Sequence, residues 1–162
     1  MQDYLTAAGS ILTVESRHSA FIRGALKESP FPSPFDTPLD FNEVYTLVAP
    51  FIKSCPSTNA PLPVKAFPAL SLATTGTVTT GSTITLSTGN IVFTAGSSPL
   101  YVAFLTVTGP IFVQATPTTS GTAFTVVVPA GVKGQSYAVL TGCNTSATDD
   151  TIVAGPAIIE IS

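Results

Sequence analysis

The hydrophobic repeat of this chain changes once along its length, and that change limits the folds it can adopt. Before about residue 63, apolar residues recur at helical spacing, whereas from Phe67 onward they alternate with Thr or Ser. The alternation is clearest in Thr83–Leu86 and Phe124–Val128. A period of two puts one set of side chains on a buried sheet face and the other in solvent. The pattern predicts an α+β chain in which helices precede an antiparallel β-sandwich.

Eight short candidate strands follow the change in period, with Gly-, Pro- or Ser-containing turns between them. They are Phe67–Ala73, Ser82–Ser87, Ile91–Ala95, Leu100–Val107, Ile111–Ala115, Ala123–Val128, Ser136–Leu140 and Ala157–Ile161. This spacing is typical of an Ig-like sandwich. Tyr137 is a candidate for a tyrosine corner or for a simple core residue. We predict a helical region over residues 1–63 and an antiparallel Ig-like β-sandwich over residues 64–162.

The first helical stretch carries ionisable groups within an apolar pattern. At about 100° per residue, one side of the helix presents Tyr4, Ala8, Ile11, Glu15, Ile22 and Leu26, with His18 at its edge. A carboxylate on an apolar stripe is costly unless it is paired, protonated or bound to a metal, and an imidazole follows one turn later. Glu15 and His18 are therefore candidate metal ligands, since inward-facing Glu-x-x-His binds metal in helical bundles. A structural Glu–His pair is the alternative.

Longer stretches of the sequence resemble a known family. They are Ala7–Arg23, Ser29–Phe41, Pro50–Ile52, Gly131–Tyr137 and Val153–Ala157. Together they resemble the end of the ferritin-like domain, and the segment after it, of fungal secreted proteins linked to stress and late sexual development. Plant desiccation-related proteins are more distant relatives. The resemblance covers nearly the whole chain and implies a four-helix bundle followed by a β-rich tail, with unsettled activity.

The chain departs from this family in its metal-ligand set. A two-metal site of the family draws a Glu from each of two helices and a Glu-x-x-His from each of two others, and this sequence has one such motif. Residues 1–27 therefore correspond to the last bundle helix, and we expect the three preceding helices to be missing. The resemblance implies iron, manganese or zinc in a complete bundle, with Glu15 and His18 as ligands. We expect no cofactor in this chain by itself.

A proline-rich run and a capping signal follow the first helix. Gly24 and the run Ser29–Phe35 stop helical winding, because each proline removes a donor and makes its predecessor extended. The phenylalanines of this run favour a strap that lies on apolar surface over a solvated linker. Asp40 and Glu43 have the spacing of a capping box, which predicts a second helix starting near Phe41.

The two cysteines and one sequon bear on the compartment. Cys55 and Cys143 fit one disulfide in an exported protein as readily as two free thiols. Asn144 begins an Asn-Thr-Ser sequon beside Cys143, which favours the secretory route and glycosylation at Asn144. We predict a Cys55–Cys143 disulfide and an extracellular or cell-wall location. No export signal is visible at the N-terminus, although the resemblance implies one upstream in full-length relatives.

Charge and composition exclude several functions. A net charge of −3 without a basic patch argues against nucleic acid as a partner, and no apolar run reaches the length of a membrane span. The β region lacks histidine, and its one close carboxylate pair, Asp149–Asp150, has the features of a solvated turn rather than a calcium site. Any enzymatic function would belong to the bundle.

Two functions remain after these exclusions. We expect a non-catalytic extracellular structural or interaction protein, and the alternative is a metal-binding ferritin-like protein once the missing helices are supplied. The apolar arc of the first helix is too wide for the short second helix to cover. Because large apolar patches usually become interfaces, we predict a homodimer through the N-terminal helix. Docking of this helix on the sandwich of its own chain is the alternative.

Overall fold

The computed structural model describes residues 2–89, 91–93 and 99–162 of the chain. It divides into two compact units, Met1–Pro34 and Phe35–Ser162. The first unit contains one long helix, and the second contains a short helix and the strands. The second helix therefore belongs to the same compact unit as the sandwich. The domain ranges 1–63 and 64–162 stay a prediction.

Helix α1 spans Gln2–Ala25 and ends in a Schellman motif. The N–H of Glu28 donates to the Arg23 carbonyl at 3.0 Å, and the N–H of Lys27 donates to the Gly24 carbonyl at 3.1 Å. Lys27 takes the left-handed conformation, with φ of 64°, that glycine usually supplies. Gly24, which we expected to stop the helix, lies within its last turn.

Helix α2 spans Phe41–Val48 and begins at the predicted capping box. The Glu43 N–H donates to Asp40 Oδ1, and the Asp40 N–H donates to Glu43 Oε2, both at 2.8 Å. Two of the backbone donors at the helix start are thereby satisfied. A short 3-10 helix, Ala49–Phe51, follows with Pro50 in its first turn. The predicted second helix is confirmed at its first residue.

The strands form two antiparallel four-stranded sheets within the described residues. They are β1 Ser71–Leu72, β2 Thr83–Ser87, β3 Tyr101–Leu105, β4 Ile111–Gln114, β5 Thr116–Pro117, β6 Ala123–Val127, β7 Gly134–Thr141 and β8 Ile152–Ile161. The first sheet has the order β1-β2-β6-β5 and the second β4-β3-β7-β8. The predicted α+β class, helices followed by an antiparallel sandwich, is confirmed.

Proline explains two differences between the predicted and observed strands. Strand β5 contains Pro117 and was not predicted, and β8 begins before Pro156 rather than at Ala157. Both are edge strands, where a missing N–H does not interrupt the hydrogen bonds of the sheet. The prediction of Ile91–Ala95 as a strand is wrong for residues 91–93, and residues 94–95 lie outside the described residues.

The main core lies between the two sheets. The first sheet contributes Ile84, Leu86, Phe124 and Val126, and the second contributes Val102, Phe104, Leu140 and Ile159. The Phe93 and Phe124 rings meet edge to face, with centroids 5.3 Å apart. These inward residues are the apolar members of the alternating pattern, so the period of two correctly identifies the buried face.

A second, smaller apolar cluster covers the outer face of the second sheet. Its buried members are Ala103, Leu105, Val139 and Ile152. Leu39 and Phe67 pack over them, whereas Phe31 and Phe35 of the proline-rich run are exposed. The segments flanking α2 supply this cover, and the strap expected for the proline-rich run stays a prediction.

Tyr137 also packs against this outer cluster. Its hydroxyl accepts a hydrogen bond from the Gln135 side chain at 2.7 Å instead of bonding to the preceding turn. The tyrosine-corner hypothesis is wrong, because the ring lies on the outer face of the sheet, next to a polar neighbour on its own strand.

Candidate interaction surfaces

Helix α1 presents an apolar surface to solvent along its length. The centre of this surface, here called the α1 stripe, consists of Tyr4, Ala8, Ile11, Ile22 and Leu26. All five side chains are exposed, with Tyr4 at 82%. Val14 and Phe21 flank the stripe on one side, and Leu5 and Leu12 flank it on the other. At about 100° per residue, the apolar arc is roughly 200° wide. An exposed apolar arc of this width is typical of a surface that packs against another element.

Glu15 and His18 lie on the same helix and are exposed. Residues three apart share a helix face, so a carboxylate and an imidazole neighbour each other within the apolar arc. Among residues 2–89, 91–93 and 99–162, no group of three or more His, Cys, Asp and Glu side chains could hold a metal ion. One carboxylate and one imidazole do not fit a two-metal site, which takes four carboxylates and two histidines.

Helix α2 is attached to the sandwich unit through polar groups. The Lys65 N–H donates to Asn42 Oδ1 at 2.8 Å, and the Phe67 N–H donates to Thr46 Oγ1 at 2.9 Å. Asn42 and Thr46 are one turn apart, so both hydrogen bonds leave from the same side of the helix. These bonds hold residues 65–67 alongside α2 and fix which side of the helix faces the sandwich.

The apolar side of α2 consequently faces solvent. The α2 stripe consists of Phe41, Val44, Val48, Phe51 and Ile52. The two phenylalanines are 84% and 87% exposed and the two valines 46% each. Helical spacing in the sequence groups Val44, Leu47, Val48, Phe51 and Ile52 on one face of α2, and all but the half-buried Leu47 are exposed. Periodicity carries no information about which side of a helix docks.

Glu43 is the buried charge of this region, with 5% of its surface exposed. The pKa of its carboxyl is raised, chiefly by burial and also by the nearby carboxylates of Asp40 and Asp149. The hydrogen bond from the Asp40 N–H partly offsets this by favouring the charged form. Glu43 lines a cavity of about 210 Å³ together with Pro38, Asp40, Leu105, Thr106, Pro110 and Ala147. The sequence predicts the capping role of Glu43 but not its burial. That burial depends on the β7–β8 loop, whose Ala147 lines the same cavity.

A larger groove of about 490 Å³ runs beside α2. It is lined by Thr46, Leu47, Ala49, Pro50, Ala66, Phe67, Ala69, Leu70, Ser71, Leu72, Pro156 and Ile158. None of these lining side chains can exchange a proton in the physiological range, so the groove offers apolar contact rather than acid–base chemistry.

The loop between β7 and β8 carries Cys143 and the predicted glycosylation residue Asn144, and Cys55 lies between the 3-10 helix and β1. Cys55 and Cys143 are both free thiols, so the predicted disulfide is not present in the structure. Cys143 Sγ instead lies 3.2 Å from Thr145 Oγ1, and this hydrogen bond is the main reason why the thiol pKa is lowered. Asn144 is exposed, and its glycosylation stays a prediction.

Comparison with known proteins bears on α1. Residues 1–28 match the family model of a ferritin-like domain, which covers α1 and its C-terminal cap. The ferritin-like character predicted for the first helix is thereby confirmed. Comparison with curated proteins gives no match.

Within the described part of the chain, no helix combines the length and hydropathy needed to cross a membrane.

Proposed function

We propose that this chain is a non-catalytic structural or interaction protein of the extracellular space, derived from the fungal ferritin-like stress-response class, and that it forms a homodimer through α1. The observation that carries the proposal is the α1 stripe, an exposed apolar surface on a helix that matches a ferritin-like domain. In a ferritin-like bundle each helix covers the apolar faces of its neighbours. A second copy of the chain supplies such a neighbour.

The energetics of the stripe are sufficient for association. Full burial of one Ile or Leu side chain is worth about 1.5 to 3 kcal/mol, and three such residues lie on the α1 stripe of each chain. Association also costs several kcal/mol in lost motional freedom. The surplus corresponds to dissociation constants of roughly micromolar order.

Three features support an exported, interacting role. Asn144 stands exposed within a sequon, the groove beside α2 is apolar, and charged residues are sparse across the sandwich. The resemblance of residues 7–23 and 29–41 to secreted fungal stress proteins supports the finer class. We therefore keep the extracellular location and the glycosylated Asn144 as parts of this proposal.

Double substitution of Ile11 and Ile22 with Asp tests the proposed dimer. Light scattering of the unmodified chain should give the mass of a dimer at high micromolar concentration, and the variant should be monomeric. The matched control places two Asp residues at Thr6 and Thr13, on the opposite side of α1, and should stay dimeric. A monomeric unmodified chain refutes the proposal.

A metal-binding role is the second candidate, because Glu15 and His18 lie one turn apart on a helix that matches a ferritin-like domain. In this role the two side chains act as part of a ligand set that further bundle helices complete. Elemental analysis of the purified chain distinguishes the two candidates. Two tightly held iron, manganese or zinc ions per chain favour the metal-binding role, and substoichiometric metal favours the structural one.

A further inference from the structure

The orientation of α2 is fixed by its polar contacts. Asn42 and Thr46 accept backbone hydrogen bonds at 2.8 and 2.9 Å, and Glu43 is buried on the sandwich side of the helix. Rotating α2 to bury its apolar side would break both bonds, leave the half-buried Phe67 N–H without its acceptor and turn the Glu43 carboxyl out of its buried position. The α2 stripe is thus held outward by the fold and is not a loosely packed core face.

The width of the α1 arc calls for two neighbouring helices. A helix in a four-helix bundle contacts two adjacent helices, and an arc of roughly 200° is wide enough for both. Pairing of α1 with α1 of a second copy accounts for one of these neighbours. The flank formed by Leu5 and Leu12, or the one formed by Val14 and Phe21, is then still uncovered.

Length and area identify the second neighbour. At about 1.5 Å per residue, the α2 stripe is roughly 16 Å long and the α1 stripe about 33 Å, so one α2 stripe from each chain spans the paired α1 helices. The two phenylalanines of the α2 stripe carry roughly 300 to 400 Å² of exposed apolar surface, and the less exposed Val44, Val48 and Ile52 together add less than that again, whereas a stable interface buries about 800 Å² per partner. Two α2 stripes paired with each other alone fall short of that area.

We propose that the α2 stripe is the second part of the dimer interface and is covered by α1 of a second copy. This inference rests on the proposed α1 homodimer and names the surface that completes it. Each chain then contributes one long and one short helix, and four helices enclose a single apolar core between the two sandwiches.

Substitution of both Val44 and Val48 with Gln tests this interface. Gln favours helix more than Val does, so α2 and its capping box should stay intact. Analytical ultracentrifugation should show the dimer dissociation constant rising about 100-fold, because four half-buried valines per dimer lose their apolar contacts. The matched control is Val127→Gln on β6, a valine of nearly equal exposure at 47%, and it should leave the dissociation constant unchanged.

The outcomes separate this inference from the homodimer itself. A dimeric chain whose affinity is unchanged by Val44→Gln/Val48→Gln refutes the α2 interface and leaves the α1 homodimer standing. A monomeric unmodified chain refutes both. A monomer whose α2 amides resist hydrogen exchange equally at every concentration shows that the stripe is covered within one chain, which also overturns the inference.

Discussion

Replacement of Glu43 with Gln separates the two roles of this side chain, which are to cap α2 and to carry a buried charge. A glutamine Oε1 can still accept the 2.8 Å hydrogen bond from the Asp40 N–H. Replacement with Ala removes that bond, which is worth about 1 kcal/mol, and about another 1 kcal/mol of buried methylene contact. We expect Glu43→Ala to lower the free energy of unfolding by about 2 kcal/mol at pH 4.

The pH dependence has a definite sign. Burial raises the folded-state pKa of Glu43 above its ordinary value of 4.5, so the folded chain binds more protons than the unfolded chain between those two pKa values. Stability contributed by this group is complete below pH 4.5 and is lost as the pH rises through the folded-state pKa. Glu43→Gln should match the unmodified chain at pH 4 and be more stable than it at pH 7.

Urea unfolding followed by tyrosine fluorescence measures these differences, since the chain has four Tyr and no Trp. Comparing each variant with the unmodified chain at every pH cancels the titration of the other carboxyls. Asp149→Asn should also give a small gain at pH 7, because Asp149 raises the Glu43 pKa. Asp150→Asn is the matched control. Identical pH profiles for Glu43→Gln and the unmodified chain refute the reasoning.

Two further predictions concern backbone strain and the thiols. Gly155→Ala should lower the free energy of unfolding by at least about 1 kcal/mol more than Gly76→Ala does. Both glycines have positive φ, so both substitutions strain the backbone. Only at Gly155 would the added Cβ also lie 3.0 Å from the Ala138 carbonyl oxygen. Equal losses in urea unfolding would contradict this. Thiol titration of unreduced, denatured protein should give two thiols per chain, those of Cys55 and Cys143. A count of zero would show that the two cysteines form a disulfide.

Local patterns allow the elements of this fold to be predicted, because their causes are local. The capping box at Asp40 needs only residues three apart, and the alternation in Phe124–Val128 needs only neighbours along one strand. The edge strands that contain Pro117 and Pro156 were missed or shortened, since proline is tolerated there only by virtue of position in the sheet. That position is a tertiary property.

The candidate surfaces were predictable in part for the same reason. The apolar stripe of α1 follows from helical periodicity, and it is exposed as the pattern suggested for a helix without bundle partners. The outward direction of the α2 stripe depends on hydrogen bonds between Asn42 and Lys65 and between Thr46 and Phe67, which join residues about 20 positions apart. The burial of Glu43 near Asp149 has the same long-range origin.

Hydrogen–deuterium exchange of the unmodified chain over a range of concentrations tests the central claim most directly. If α1 is covered by a second copy, the amides of residues 4–26 should exchange more slowly as the protein concentration rises. The concentration at the midpoint of this change should match the dimer dissociation constant measured by ultracentrifugation. The strands of the sandwich, which are buried within one chain, should show no such change. Rapid exchange throughout α1 at every concentration would contradict the proposed dimer.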